Sequence, residues 1–194
     1  MYKSGNLITP PAKEPVTLEE VLGILRLEAG VDDDVVNSLI ATARDKVEII
    51  TGRQMVTATR QLVLNNFPSG DLVIANAPLQ SVELVRYHDG EEWVELVEDT
   101  DYIVEENGGG DDPDPLCDYG FIHPVDSWPC VGTEPNSVEV TYICGYPLDV
   151  EDDPTTPEAL KNAIKFQVAD LYDVCSYKDT INYILASYRL NWQV

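Results

Sequence analysis

The sequence predicts an α+β protein: a small helical bundle built from both chain ends, with an antiparallel β module inserted between them. Three observations predict it. Apolar residues between Asp32 and Arg53 recur at steps of three and four. From Gln54 the period changes to two, and helical spacing returns after Pro157.

The stretch from Asp32 to Arg53 organises the rest. Val36, Leu39, Ile40, Ala43, Val47 and Ile50 fall on one face of a helix, with Asn37, Arg44, Asp45 and Glu48 on the other. The run Asp32-Asp33-Asp34 suits a helix N-terminus, where free N–H groups and the macrodipole favour negative charge. Gly52 can take the left-handed conformation that closes a helix. Upstream, Thr17-Leu18-Glu19-Glu20 is a capping box, and the helix it starts, to about Leu27, buries Val21, Leu22 and Leu25. Residues 1–15 contain Pro10, Pro11 and Pro15 without periodicity and read as a flexible or extended arm.

The β module follows. Gln54–Asn65 alternates Val56, Ala58, Leu62 and Leu64 with polar residues. Phe67-Pro68-Ser69-Gly70 is a turn before a short strand at Asp71–Ala75. Val82–His88 and Trp93–Val97 flank Asp89-Gly90, a hairpin signal. Tyr102–Glu105 runs into a loop from Gly108 to Pro115. Phe121–His123 is short and extended, and Ser137–Cys144 is rich in β-branched and aromatic residues. This makes about six or seven strands over 54–146. Thr156 is placed to cap a helix with Pro157 at its first position, carrying Leu160, Ile164, Val168 and Leu171. A last helical segment, Thr180–Leu190, holds Ile181, Ile184, Leu185 and Tyr188. The expected division is an arm over 1–15, a discontinuous bundle over 16–53 plus 155–194, and a β domain over 54–148.

With 35 acidic against 12 basic residues the formal charge is −23. A protein that grips nucleic acid by its phosphates needs clustered Lys and Arg, so that class is excluded. Between Arg86 and Lys161 there is no Lys or Arg, while 21 Asp and Glu fall there, which implies a strongly negative face. Solubility or a salt-adapted source would also account for it. The N-terminal segment lacks the apolar core of a signal peptide, and no apolar run approaches a membrane span, so a soluble protein made in a cytoplasm is expected.

The chain contains no HExxH, GxSxG, P-loop or GxGxxG, and its two histidines, His88 and His123, sit in strand-like stretches. Gly108-Gly109-Gly110 lacks the Lys and following helix of a phosphate loop. The acidic residues Asp111, Asp112 and Asp114 have calcium-ligand chemistry without EF-hand spacing, and a solvated acidic loop explains them better. Trp93, Trp128 and Trp192 could line a groove or belong to cores. Cys117, Cys130, Cys144 and Cys175 show no CxxC spacing, which speaks against zinc and disulfides. No catalytic residue, cofactor or metal is expected, and the chain does not read as an enzyme.

The order of motifs carries more. Pro15-Val16-Thr17-Leu18-Glu19-Glu20, the stretch ARDKVEIITGR, Phe67-Pro68-Ser69-Gly70 and Ala77-Pro78-Leu79-Gln80-Ser81-Val82 form one series. Trp128-Pro129, Val138–Tyr142, Gly145-Tyr146, Pro157–Ile164 and Ser187-Tyr188-Arg189 continue it. In that order, from about Pro15 to Arg189, the chain resembles the head–tail connector (adaptor) proteins of long-tailed phages and gene transfer agents. The resemblance implies a virion neck protein forming a ring, usually dodecameric, beneath the portal protein. It implies that the ring extends a channel through which double-stranded DNA passes without sequence-specific binding, and that it offers a docking surface to the next head-completion, stopper or tail protein. Carboxylates such as Asp111, Asp112, Asp114, Glu91 and Glu92 would repel phosphates if they lined that channel.

Tyr183, Tyr188, Arg189 and Trp192 are the candidate portal or ring contacts, since aromatic residues and Arg anchor interfaces. Tyr188 could equally pack on the long helix, and the Pro-rich arm could wrap a neighbouring subunit. A second function class fits the charge: an acidic mimic of DNA that inhibits a nucleic-acid-binding enzyme. A third is a β module binding a glycan or peptide through Trp93 and Trp128.

Overall fold

In the computed structural model, which describes residues 5–106, 119–173 and 177–190, the chain divides into two units. One comprises residues 1–10 and 57–145, the other residues 11–56 and 146–194.

The helical unit contains α1 (Leu18–Leu25), α2 (Asp33–Thr51), α3 (Glu158–Asp173) and α4 (Lys178–Ala186). The capping box forms as expected: the Thr17 hydroxyl accepts from the Glu20 N–H at 3.2 Å, and the Glu20 carboxylate accepts from the Thr17 N–H at 2.8 Å. Gly52 closes α2 at φ 74, donating to the Glu48 carbonyl. Val36, Ile40, Ala43 and Val47 are buried against Val21 and Leu22, Leu160, Ala163, Ile164 and Val168, and Ile181 and Leu185, with Leu39 and Ile50 half-buried at the margin. This is one core that both chain ends build.

Two expectations are corrected here. Arg44 and Glu48 do not lie on a solvated face. The Arg44 side chain is 11% exposed and pairs with Glu14 at 2.7 Å and Glu48 at 3.2 Å. Glu48 is buried and accepts from Gln54 Nε2 at 2.8 Å and from the Met55 N–H at 3.1 Å. The chain leaving α2 turns back over its last two turns, so a face that periodicity marks as polar is covered by the chain's own backbone. The acidic run does sit at the N-terminus of α2, Asp32 at the N-cap and Asp33 and Asp34 in the first turn; Asp32 makes no side-chain cap hydrogen bond, and Asp33 accepts from the Gly30 N–H at 2.9 Å. The Thr156 hydroxyl donates to the Met55 carbonyl at 2.6 Å, tying the start of α3 to the exit from α2.

The β unit contains β1 (Asn6–Thr9), β2 (Ala58–Leu64), β3 (Leu72–Ile74), β4 (Leu79–His88), β5 (Trp93–Leu96), β6 (Tyr102–Glu105), β7 (Gly120–Pro124) and β8 (Val138–Cys144). They form a five-stranded sheet, β1-β2-β8-β4-β5, and a three-stranded sheet, β3-β7-β6, with every ladder antiparallel. β8 is central, burying Val138, Val140, Tyr142 and Cys144 in strict alternation. Those side chains share a core with Leu72, Ile74, Tyr102 and Ile122 of the smaller sheet. The arm expected over residues 1–15 is ordered where Asn6–Thr9 pairs with β2, Asn6 opposite Gln61 and Leu7 opposite Arg60. Arg60 donates to the Gly5 carbonyl at 2.8 Å, which fixes the start of that pairing. A strand this short has too few residues to show a period, so the neighbouring prolines carry the stronger sequence signal.

Candidate interface residues

The C-terminal candidates sit on or just after α4. Tyr183 is 81% exposed, its ring projecting from the outer face of α4 while Ile181 and Leu185 are buried. Arg189 is exposed, and Tyr188 is half-buried against the core, the packed alternative noted for it. Trp192 lies outside the described residues. The segment carrying these side chains is clamped. Arg53 Nε donates to the Tyr188 carbonyl at 2.8 Å, and the Leu190 N–H donates to the Thr51 carbonyl at 2.9 Å. Arg53, fully buried, also reaches the Tyr146 hydroxyl at 3.4 Å. The chain after α4 is thus held at the C-terminal end of α2, with Arg189 presented to solvent between two anchored residues. In the sequence the signal for this is no more than a cation, Arg53, directly after the helix-closing Gly52. Leu171 and Tyr177, the latter stacked on Phe166 at 5.2 Å, add exposed apolar surface beside the same helices.

Of the acidic candidates, Glu91 and Glu92 are exposed in the β4–β5 turn, where Asp89 Oδ1 accepts both of their N–H groups at 2.7 and 2.9 Å. Those two bonds hold the Asp89 carboxyl below its ordinary range. Asp111, Asp112 and Asp114 lie outside the described residues. The β unit holds 18 acidic and 3 basic residues of the chain. Its two described cations are both engaged: Arg60 on Gly5, and Arg86 on Glu139 at 2.6 and 2.8 Å while stacked 4.7 Å over Trp93. The field of this unit is therefore set by exposed carboxylates.

The three-stranded sheet carries a charged clasp. His123 on β7 meets Asp71 at 2.9 Å through Nδ1 and Glu105 on β6 at 2.7 Å through Nε2. Burial pulls the imidazole down, but the two carboxylates outweigh it and hold its pKa above the ordinary value. Trp128 stacks flat on Phe67 at 4.4 Å and donates to the Gly70 carbonyl at 2.7 Å, fixing the turn before β3.

Among the described residues no group of three or more His, Cys, Asp or Glu is placed to hold a metal, and no helix is long and apolar enough to cross a membrane. Neither Cys130, which is exposed, nor Cys144, which is buried, is in a disulfide. A shallow depression beside Asn65 and Asn66 is lined also by Val131, Gly132, Thr133, Glu134 and Pro135; Glu134 is its single titratable side chain, so it offers no acid–base pair.

Neither protein-family models nor curated proteins give a match to this chain. Solved structures do. A chain from the neck of an empty gene transfer agent (GTA) particle, computed with C6 symmetry, superposes at a TM-score of 0.76, with 16% identity, over 97% of this chain and 96% of its own. This protein has the fold of a GTA neck chain. A chain from the virion of a native GTA particle matches at a TM-score of 0.76 and 14% identity, covering 97% and 96% of the two chains. A chain from the neck of a native GTA particle, computed with C12 symmetry, matches at 0.74 and 16% identity, covering 99% and 98%. The likeness takes in both units of the GTA neck fold, the helical one and the β one, rather than a shared module.

Proposed function

We propose that this protein is a structural neck component of a virion or virion-like particle: a ring-forming adaptor that docks under the portal, extends the DNA channel and presents the attachment surface for the next head-completion or tail protein. The observation that carries this reading is the full-length likeness to neck chains of particles computed with C6 and C12 symmetry. A ring needs heterologous contacts, two different flanks meeting around an axis, and not a self-complementary patch. The charge suits a conduit. Carboxylates repel phosphates and forgo the counterion release that makes basic surfaces hold DNA.

The portal contact is assigned to the clamped C-terminal segment, with Tyr183 and Arg189 as its described anchors. The test is co-sedimentation of the purified protein with portal-bearing heads that lack their neck. Wild-type protein should bind in a ring's worth of copies, and Tyr183→Ala should weaken binding about tenfold, the loss expected of an aromatic anchor. Its thermal midpoint should not change, because the ring is free in the unbound chain. A protein that never joins such heads yet tightly inhibits a nuclease would instead establish the DNA-mimic reading.

A further inference from the structure

The five-stranded sheet ends in two strands of equal length and unlike chemistry. β1 and β5 are its outer members, each four residues long. An outer strand turns one row of backbone N–H and C=O groups away from the sheet, where another chain can pair with it. All four residues of β1 are exposed, with Leu7 at 46% and Ile8 at 55%. On the opposite margin Trp93 and Val97 are exposed.

We propose that copies of this protein join edge to edge, β1 of one against β5 of the next, so that the sheet runs on from subunit to subunit. This deepens the ring reading above and rests on it. Charge selects the pairing. Glu91, Glu92, Glu95 and Glu98 are exposed on and beside β5, so two β5 margins repel each other. β1 itself, Asn6-Leu7-Ile8-Thr9, carries no charge in a unit that holds 18 acidic residues, so a β1 margin is the one such a β5 margin can approach.

Direction agrees with it. Four antiparallel ladders separate β1 from β5, so the two strands run the same way. A copy displaced sideways with a small rotation therefore sets its β1 parallel to its neighbour's β5, the relation that subunits of a many-membered ring require. A self-complementary dimer would need antiparallel edges instead.

The test is sedimentation velocity of the full-length protein over a range of concentrations, with circular dichroism confirming that each variant is folded. Wild-type protein should form species larger than a dimer. Ile8→Glu should weaken association about tenfold, and Ile8→Lys should leave it as strong or stronger, a split by sign that loss of packing alone does not produce. Combining Ile8→Glu with Glu92→Lys and Glu95→Lys should restore it. Equal effects of Glu and Lys at position 8, assembly that stops at a dimer, or a wild-type protein that stays monomeric would each overturn edge pairing. Larger species unaffected by Ile8→Glu overturn the edges and leave the ring standing. Failure of wild-type protein to join portal-bearing heads removes the ring itself.

Discussion

At the scale of single residues, the strongest constraints come from charges that the fold has taken out of water. Glu48 is the clearest. Its carboxylate holds Gln54, the Met55 N–H and Arg44 at once, so it fixes how the chain leaves α2. Glu48→Ala should cost about 3 kcal/mol in chemical denaturation, because it strands buried partners rather than deleting one contact. Arg44 stays protonated throughout the accessible pH range: burial alone would lower its pKa, and Glu14, Glu48 and Asp45 more than reverse this. His123 supplies a pH signature of the opposite kind. Its folded pKa stands above the ordinary 6.5, so the clasp to Asp71 and Glu105 stabilises fully below about pH 6.5. That contribution is lost as pH rises through the folded value. His123→Gln should therefore cost about 1 kcal/mol near pH 6, given partial exposure, and clearly less at pH 9, read as a shrinking gap between the two denaturation curves.

At the scale of elements, α2 and β8 were legible because each repeats one period long enough to be unambiguous. The buried apolar residues of α2, Val36, Ile40, Ala43 and Val47, all belong to the six that steps of three and four select, the other two, Leu39 and Ile50, being half-buried. β8 alternates without a fault. What stayed hidden depends on partners distant in sequence. Periodicity puts Arg44 and Glu48 on the polar side of α2 but cannot say that Glu14 and Met55 will cover them. Nor can it show that β1 finds β2 some fifty residues away, since four residues carry no period of their own. Among the interface candidates, aromatic type singled out Tyr183 and Tyr188 alike; only the packed structure separates the exposed ring from the half-buried one.

Gly120, at the start of β7, was equally unreadable. A Cβ there would run into Leu79 Cδ2 and come within 2.9 Å of its Cγ and 2.6 Å of its Cβ, so the two sheets meet at this point closer than a side chain permits, and only the first two of these contacts end at Leu79→Ala. Gly120→Ala should destabilise by about 2 kcal/mol through forced separation of β7 from β4, and Leu79→Ala in the same chain should recover part of the loss in a double-mutant cycle.

At the scale of the whole molecule, the decisive property is a net charge of −23 spread over two units that the chain crosses between three times, after residues 10, 56 and 145. The protein should leave linear duplex DNA unshifted in a gel even at about 50 mM salt, where phosphate-binding proteins hold most tightly. A retarded band would contradict the conduit. The same threefold crossing sets an order on synthesis. The sandwich is complete once Cys144 has left the ribosome, whereas α2 must wait for the segments after Pro157 to cover its apolar stripe. A polypeptide released early, near residue 150, would hold a finished sandwich beside a bare adhesive helix. The cover that keeps that stripe from sticking indiscriminately thus comes from α3 and α4, the elements that are made last among those described.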